Sequence, residues 1–266
     1  DSPSQTVLFQ KLADEIAAIA TELGVNPSAA FASVLARLAA LPGTYVAAPT
    51  GVVATDSAAV QAAIDAVAAA GGGVVELHAG SYALGATSLT IGGDDVRIHG
   101  RGRGATNLMY TGSGAAIKNS AGATIRRRFG LAELTITLSG VGARGFECEN
   151  FYRASVRDVV IDGTGVACTP LKLIGSATQS TYYNRFDNVD LIGDTACVDL
   201  GEACNATMFV GGVWEGAGYA VKANPAAGTL DTCRFEHVNI ATSGATIIQL
   251  GGGGGNVNDH TFTDCR

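Results

Sequence analysis

Four carboxylates and two other side chains are where this chain could do chemistry. Asp187 with Glu236, and Asp190 with Glu215, are the candidate catalytic pairs. Two carboxylates on one groove suffice for glycoside hydrolysis: one protonates the leaving oxygen and the other activates a water. Trp214 and Asn239 are the candidate sugar contacts, a flat apolar ring beside an amide. Whether these side chains share a face depends on the elements that carry them.

Those elements are repeats. From residue 131 onward one phrase recurs: LAELTI, VRDVVI, FDNVDL, FVGGVW, FEHVNI and FTDC, beginning at 131, 156, 186, 209, 235 and 262. A second phrase keeps time with it: IKN, FEC, LKL, VDL, VKA and IQL, beginning at 117, 146, 171, 198, 221 and 248. Each has period-two apolarity, so each reads as a short strand. One strand cannot bury its inner face, but a stack of coils can. The expected fold is all-β: a right-handed, single-stranded parallel β-helix preceded by N-terminal α-helices. Its body should span 55–266 and, because FTDC is an incomplete phrase, continue beyond.

In such a stack the residue between two inward positions points to solvent. Equivalent residues of successive coils lie about 4.8 Å apart. The second phrase then gives the outward row Lys118, Glu147, Lys172, Asp199, Lys222 and Gln249. Alternating charge suits a ladder, so Glu147 and Asp199 are expected to be structural. The first phrase gives a bend row: Glu133, Asp158, Asn188, a glycine at 211 or 212, His237 and Asp264. These types tolerate left-handed backbone, which makes His237 a bend residue before it is a base.

Just before the bend run Ala132, Arg157, Asp187, Val210, Glu236 and Thr263. Arg157 is expected to pair with Asp187. Asp187 and Glu236, two coils apart, should be about 9–10 Å from each other, near the separation inverting hydrolysis uses. After the bend come Thr135, Val160, Asp190, Val213 or Trp214, and Asn239. The glycines at 211 and 212 leave the register open there. An inserted residue would turn Trp214 outward and Glu215 inward; without it Trp214 is core, the reading preferred.

Composition narrows the function classes. A net charge of −7 argues against nucleic acid or an anionic membrane as partner, and Arg126-Arg127-Arg128 is too short a run to reverse that. No apolar run reaches the roughly 18 residues of a membrane span. Six cysteines without a CxxC pair point to buried free thiols rather than zinc, and no metal or cofactor is expected. The corner GRGRGA at 100–105 follows no βαβ unit, which removes a phosphate-loop reading.

Residues 5–23 are expected to be helical. Phe9, Leu12, Ile16, Ile19 and Leu23 make a heptad seam that would suit three chains, or else pack on the protein's own body. A second helix starts at Asn26-Pro27 and stops at Pro42-Gly43. Residues 44–54 read as a linker. A helix over 57–70, capped by Thr55 or Asp56 and packed through Val60, Ile64 and Val67, should close the N-terminal end of the stack.

ADEIAAIATELGVNPSAAFASVLARL (13–38) resembles a segment near the N-termini of bacteriophage tail and fibre proteins. ATDSAAVQAAIDAVAAAGGGVVELHAGSYALGATSLTI (54–91), continued by DDVRIHGRGRGATNL (94–108), resembles the opening of pectate-lyase-like β-helix proteins, many phage tailspikes among them. These resemblances imply a virion tail fibre or tailspike protein acting outside the host cell. It would be a homotrimer, held to other virion proteins through residues 1–43, with a β-helix that recognises a host-surface glycan. The alternative they imply is a depolymerase of host capsule or envelope glycan, a hydrolase or a lyase. A lyase of that family would need calcium-binding acids with an arginine base, and no such cluster stands out on one outward row.

Overall fold

The chain divides into two units, Asp1–Gly43 and Thr44–Arg266. A computed structural model describes residues 44–119, 124–175, 180–216, 218–223, 229–242, 248–251 and 256–266. The two expected N-terminal helices and their seam lie outside the described residues.

Thr44–Arg266 is a parallel β-helix with three faces. The first face stacks Thr44–Val46, Gly73–Leu77, Val96–His99, Gly130–Leu138, Ser155–Asp162, Arg185–Ile192, Met208–Val210, Arg234–Glu236 and Thr261–Thr263 in that order. The second runs from Leu89–Ile91 through Ala115–Asn119 and Arg144–Glu149 to Ile248–Leu250. The third starts at Arg126–Arg127 and ends at Asn256–Asn258. Gly130–Leu138 shows how the sequence makes a coil. Leu131, Leu134, Ile136 and Leu138 are buried, and the residues between them are not. Two consecutive outward residues, Ala132 and Glu133, mark the bend, where Glu133 takes φ 55°.

Equivalent residues fall into inward files, as the repeat predicts. Phe186, Phe209, Phe235 and Phe262 are in register. Their rings stack at centroid distances of 4.9, 4.9 and 4.5 Å. Stacked aromatic pairs add about 0.5–1.5 kcal/mol each beyond burial. The ladder Lys118, Glu147, Lys172, Asp199, Lys222, Gln249 is in register on the second face. Arg144 Nε, on the same strand, sits 2.7 Å from Glu147. Every residue of the bend row has positive φ, between 50° and 67°. All six cysteines are free thiols, five of them buried.

The N-terminal end differs in detail from expectation. Within the stretch read as a linker, Thr44–Val46 is a strand paired with Gly73–Leu77. The cap helix spans Val53–Ala69, and its buried residues include Val60, Ile64 and Val67. Neither Thr55 nor Asp56 caps it; Val52 holds that position without a side-chain bond. Asp56 is buried in the first turn instead, where it accepts hydrogen bonds from Thr50 N and Oγ1, Gly51 N and Ala83 N. Burial pushes its carboxyl up, but these four bonds outweigh that and hold it below the ordinary carboxylate range. The helix is thus tied to the first coil through one buried anion.

Candidate functional site

Register decides the fate of the sequence candidates. Phe186 pairs with Phe209 and Leu191 with Trp214, so no residue is inserted at the two glycines. Trp214 is therefore core, 1% exposed, with Nε1 donating to Val189 O at 3.1 Å. It is not a sugar contact. Gly211 takes the bend at φ 67° and Gly212 lies so close to Val189 that a Cβ would stand 2.2 Å from its carbonyl oxygen. Glu215 and Asn239 are exposed. Asp190 is occupied: it holds Arg103 in an ion pair and accepts from Val213 N at 2.8 Å. Glu215 aligns with Ile192 rather than with Asp190, so that pair does not share an outward row.

Asp187 and Glu236 do share one, with Val210 between them. Each has an arginine from its own strand: Arg185 Nε is 2.8 Å from Asp187 and Arg234 is 3.4 Å from Glu236. The Asp187 hydrogen bond raises Arg185 above its ordinary value, and Glu236 adds to it. Arg157 does not pair with Asp187; its guanidinium reaches Glu133, 3.6 Å away. The cause is local, since Arg185 stands two residues before Asp187 on the same face.

The first face carries a site that the repeat phrases did not bring together. The row before the bend extends upstream in register, from Ala132 to His99 and on to Glu76. His99 Nδ1 is 3.2 Å from Glu76 and Nε2 is 3.4 Å from Glu133. Arg101 stands 3.8 Å from Glu76. Even so, Glu76 Oε2 and His99 Nε2 are buried without a hydrogen bond of good geometry. Among the described residues no cluster of His, Cys, Asp or Glu is placed to hold a metal ion.

Glu76 and His99 edge a groove of about 570 Å³ that crosses the Val96–His99, Gly130–Leu138 and Ser155–Asp162 strands. Small residues, Gly130, Ala132 and Ser155, lie under it, and Arg97, Arg128, Arg153 and Arg157 surround them. Gly130 is needed for this shape: a Cβ there would be 2.9 Å from Arg97 Cγ. Arg128 is ion-paired with Asp95, which raises the guanidinium above its ordinary value and draws the carboxyl below its own. Among the described residues Arg97 and Arg153 stand in none of the ion pairs, although the charge of Arg97 also reaches Asp95. The groove therefore presents a surplus of positive charge on a chain of net charge −7.

No family model matches this chain, and no curated protein matches it in sequence. In structure it is similar to the tailspike protein gp49 from Acinetobacter baumannii bacteriophage Fri1, a capsular polysaccharide depolymerase. That alignment has a TM-score of 0.54, 12% identity, and covers 79% of this chain and 50% of that one. The fold is that of a tailspike-like parallel β-helix. The chain spans half the length of that tailspike. The mannuronan C-5 epimerase AlgE6 A-module of Azotobacter vinelandii aligns with a TM-score of 0.48 at 15% identity, over 76% of this chain and 72% of that one. ORF18 of Geobacillus virus E2 aligns with a TM-score of 0.39 at 15% identity, over 87% of this chain and 63% of that one.

Proposed function

We propose that this chain is the β-helix body of a phage tail fibre or spike, and that its first face recognises a glycan of the host surface. The observation that carries this is the arginine-edged groove, an open concave site lined by Arg97, Arg128, Arg153 and Arg157. Rigidity supports it: each coil is held by main-chain hydrogen bonds to its neighbours, so the site is preorganised. The fold it shares with the Fri1 tailspike supports the phage context. Residues 1–43 serve as attachment segment and trimer seam in this reading, and a light-scattering mass of one chain would overturn that part. The main test is binding of the full chain to host-envelope polysaccharide. Saturable binding lost in Arg97→Ala/Arg157→Ala is expected; binding unchanged in that variant would overturn the groove as the recognition site.

A second reading, glycan cleavage, is favoured by one observation: Asp187 and Glu236 face the same way two coils apart. That separation leaves room for a water. Against it, an ion-paired carboxylate is a poor proton donor. New reducing ends, abolished by Asp187→Asn or Glu236→Gln, would establish cleavage. Unsaturated ends would point instead to a lyase, with His99 the first residue to replace.

A further inference from the structure

The groove does not end at its arginines. Arg128, Arg153 and Tyr183 occupy the same corner of successive coils, as the strands that follow them are in register. They are spaced by about 4.8 Å per coil. All three hold left-handed backbone, with φ 55°, 57° and 57°. The corner takes this conformation in the other coils too, at Asp95, Ala206, Thr232 and Asp259, so what distinguishes these three coils is the long side chains they carry there. Tyr183 is 57% exposed. Its ring lies 5.3 Å from that of Tyr182 and 5.9 Å from that of Tyr152. Tyr152 and Tyr182 are 4.7 Å apart, and the Arg153 guanidinium stands 4.9 Å from the Tyr152 ring. A cluster of three tyrosines thus lies next to the groove, joined to it by Arg153.

We infer that the arginine groove and this tyrosine corner form one continuous track for an acidic oligosaccharide, its carboxylates held by Arg97 and Arg153 and a sugar ring stacked on Tyr183. This rests on the glycan-recognition reading above and adds the chemical class. Arg97 and Arg153, which stand in none of the ion pairs among the described residues, set the charge of the ligand. Guanidinium groups bind carboxylates through paired N–H donors, in a geometry that neutral hydroxyls do not reproduce. The tyrosines set its nature as a saccharide: their rings offer apolar area to the C–H face of a sugar, and their hydroxyls offer hydrogen bonds. Glu76 and His99 close the far side of the groove, paired with each other and with Arg101 and Glu133.

The test is an array of bacterial oligosaccharides, carboxylate-bearing, phosphate-bearing and neutral, probed with the full chain. Binding confined to carboxylate-bearing glycans, and weakening as salt rises, is the expected result. Arg153→Gln should weaken it roughly tenfold or more, since a hydrogen bond between charged groups is lost. Tyr183→Ala should weaken it roughly three- to tenfold. Asp158→Asn, at the other corner of the first face, should leave it unchanged. Binding to neutral glycans alone would overturn the acidic track while leaving glycan recognition standing. A preference for phosphate would overturn the carboxylate assignment. Binding that survives Arg153→Gln and Tyr183→Ala would place the site elsewhere, and no binding to any glycan would sink both readings.

Discussion

Two corners of the coil ask the same thing of the backbone and fill it with different residues. At the bend within the first face, Glu133, Asp158, Asn188, Gly211, His237 and Asp264 take positive φ. At the corner that leads into that face, Asp95, Arg128, Arg153, Tyr183, Ala206, Thr232 and Asp259 take φ between 49° and 57°. The first column is dominated by Asn, Asp and Gly, which adopt this geometry cheaply. Its side chains tie coil to coil: Asn188 Nδ2 donates to Asp158 at 2.7 Å, and His237 stands 3.6 Å from Asp264. The second column puts two arginines, a tyrosine, an alanine and a threonine in the same conformation. Each non-Gly residue without a local hydrogen-bonding side chain costs about 1–2 kcal/mol there. The first column is scaffold; in the second, the long side chains of Arg128, Arg153 and Tyr183 edge the proposed track.

The largest expected effect tests the scaffold side. Gly212 follows the bend at φ 91°, with no room for a Cβ beside Val189 O. Gly212→Ala should cost roughly 2–4 kcal/mol by urea unfolding, from strain plus a clash with backbone that cannot move aside. A cost near zero would mean that the bend column is not holding the stack. Next comes Asn188→Arg, which places at the scaffold corner the residue type that the other corner uses. It loses the bond to Asp158 and gains left-handed strain, about 1–2 kcal/mol in all. Arg153→Gly is the reverse exchange. It relieves about 1 kcal/mol of backbone cost and gives up a cation–π contact of about 0.5–1 kcal/mol. Stability should stay within about 1 kcal/mol of the parent while acidic-glycan binding falls. If it fell by more than 2 kcal/mol, the two corners would be the same kind of column.

Much of this was legible in the sequence. The fold followed from two phrases with one period, and the phenylalanine file and charge ladder followed with it. The bend column was readable because its residues have a local reason to be there. The second column was not, because Arg, Tyr, Ala and Thr carry no propensity for left-handed backbone; only coordinates reveal that they share it. Trp214 stayed ambiguous because either glycine could take the bend, and packing against Val189 decided it. The Glu76–His99–Glu133 cluster was missed for a different reason. VVEL and VRIH lack the polar turn residue that marks the later phrases, so nothing in their sequence aligns them with the outward row. Extending that row by register would have found His99. Arg157 went to Glu133 instead of Asp187 because stacking gives vertical neighbours, whereas a long guanidinium also reaches diagonally.

The smallest expected effect sharpens what the second corner does. Asp95 heads that column, and its carboxylate grips Arg128 in the next coil. That hydrogen bond, helped by the charges of Arg128 and Arg97, draws its carboxyl below the ordinary range against an opposing push from burial. A carboxyl lowered in the folded state stabilises the fold fully above its unfolded value, about 3.9. The contribution fades as pH falls through the lower folded value. The pair is largely exposed, so its loss should barely move the unfolding midpoint. Binding should respond in the opposite sense. Asp95 occupies Arg128 as a ligand carboxylate would, so Asp95→Asn frees a third guanidinium and should tighten acidic-glycan binding about two- to threefold at neutral pH. The same titration in 0.5 M salt should shrink that gain, because exposed charges are screened. Weaker binding in Asp95→Asn would mean that Asp95 aims Arg128 rather than competing for it, and the corner would then hold a built-in positioning residue instead of a rival anion.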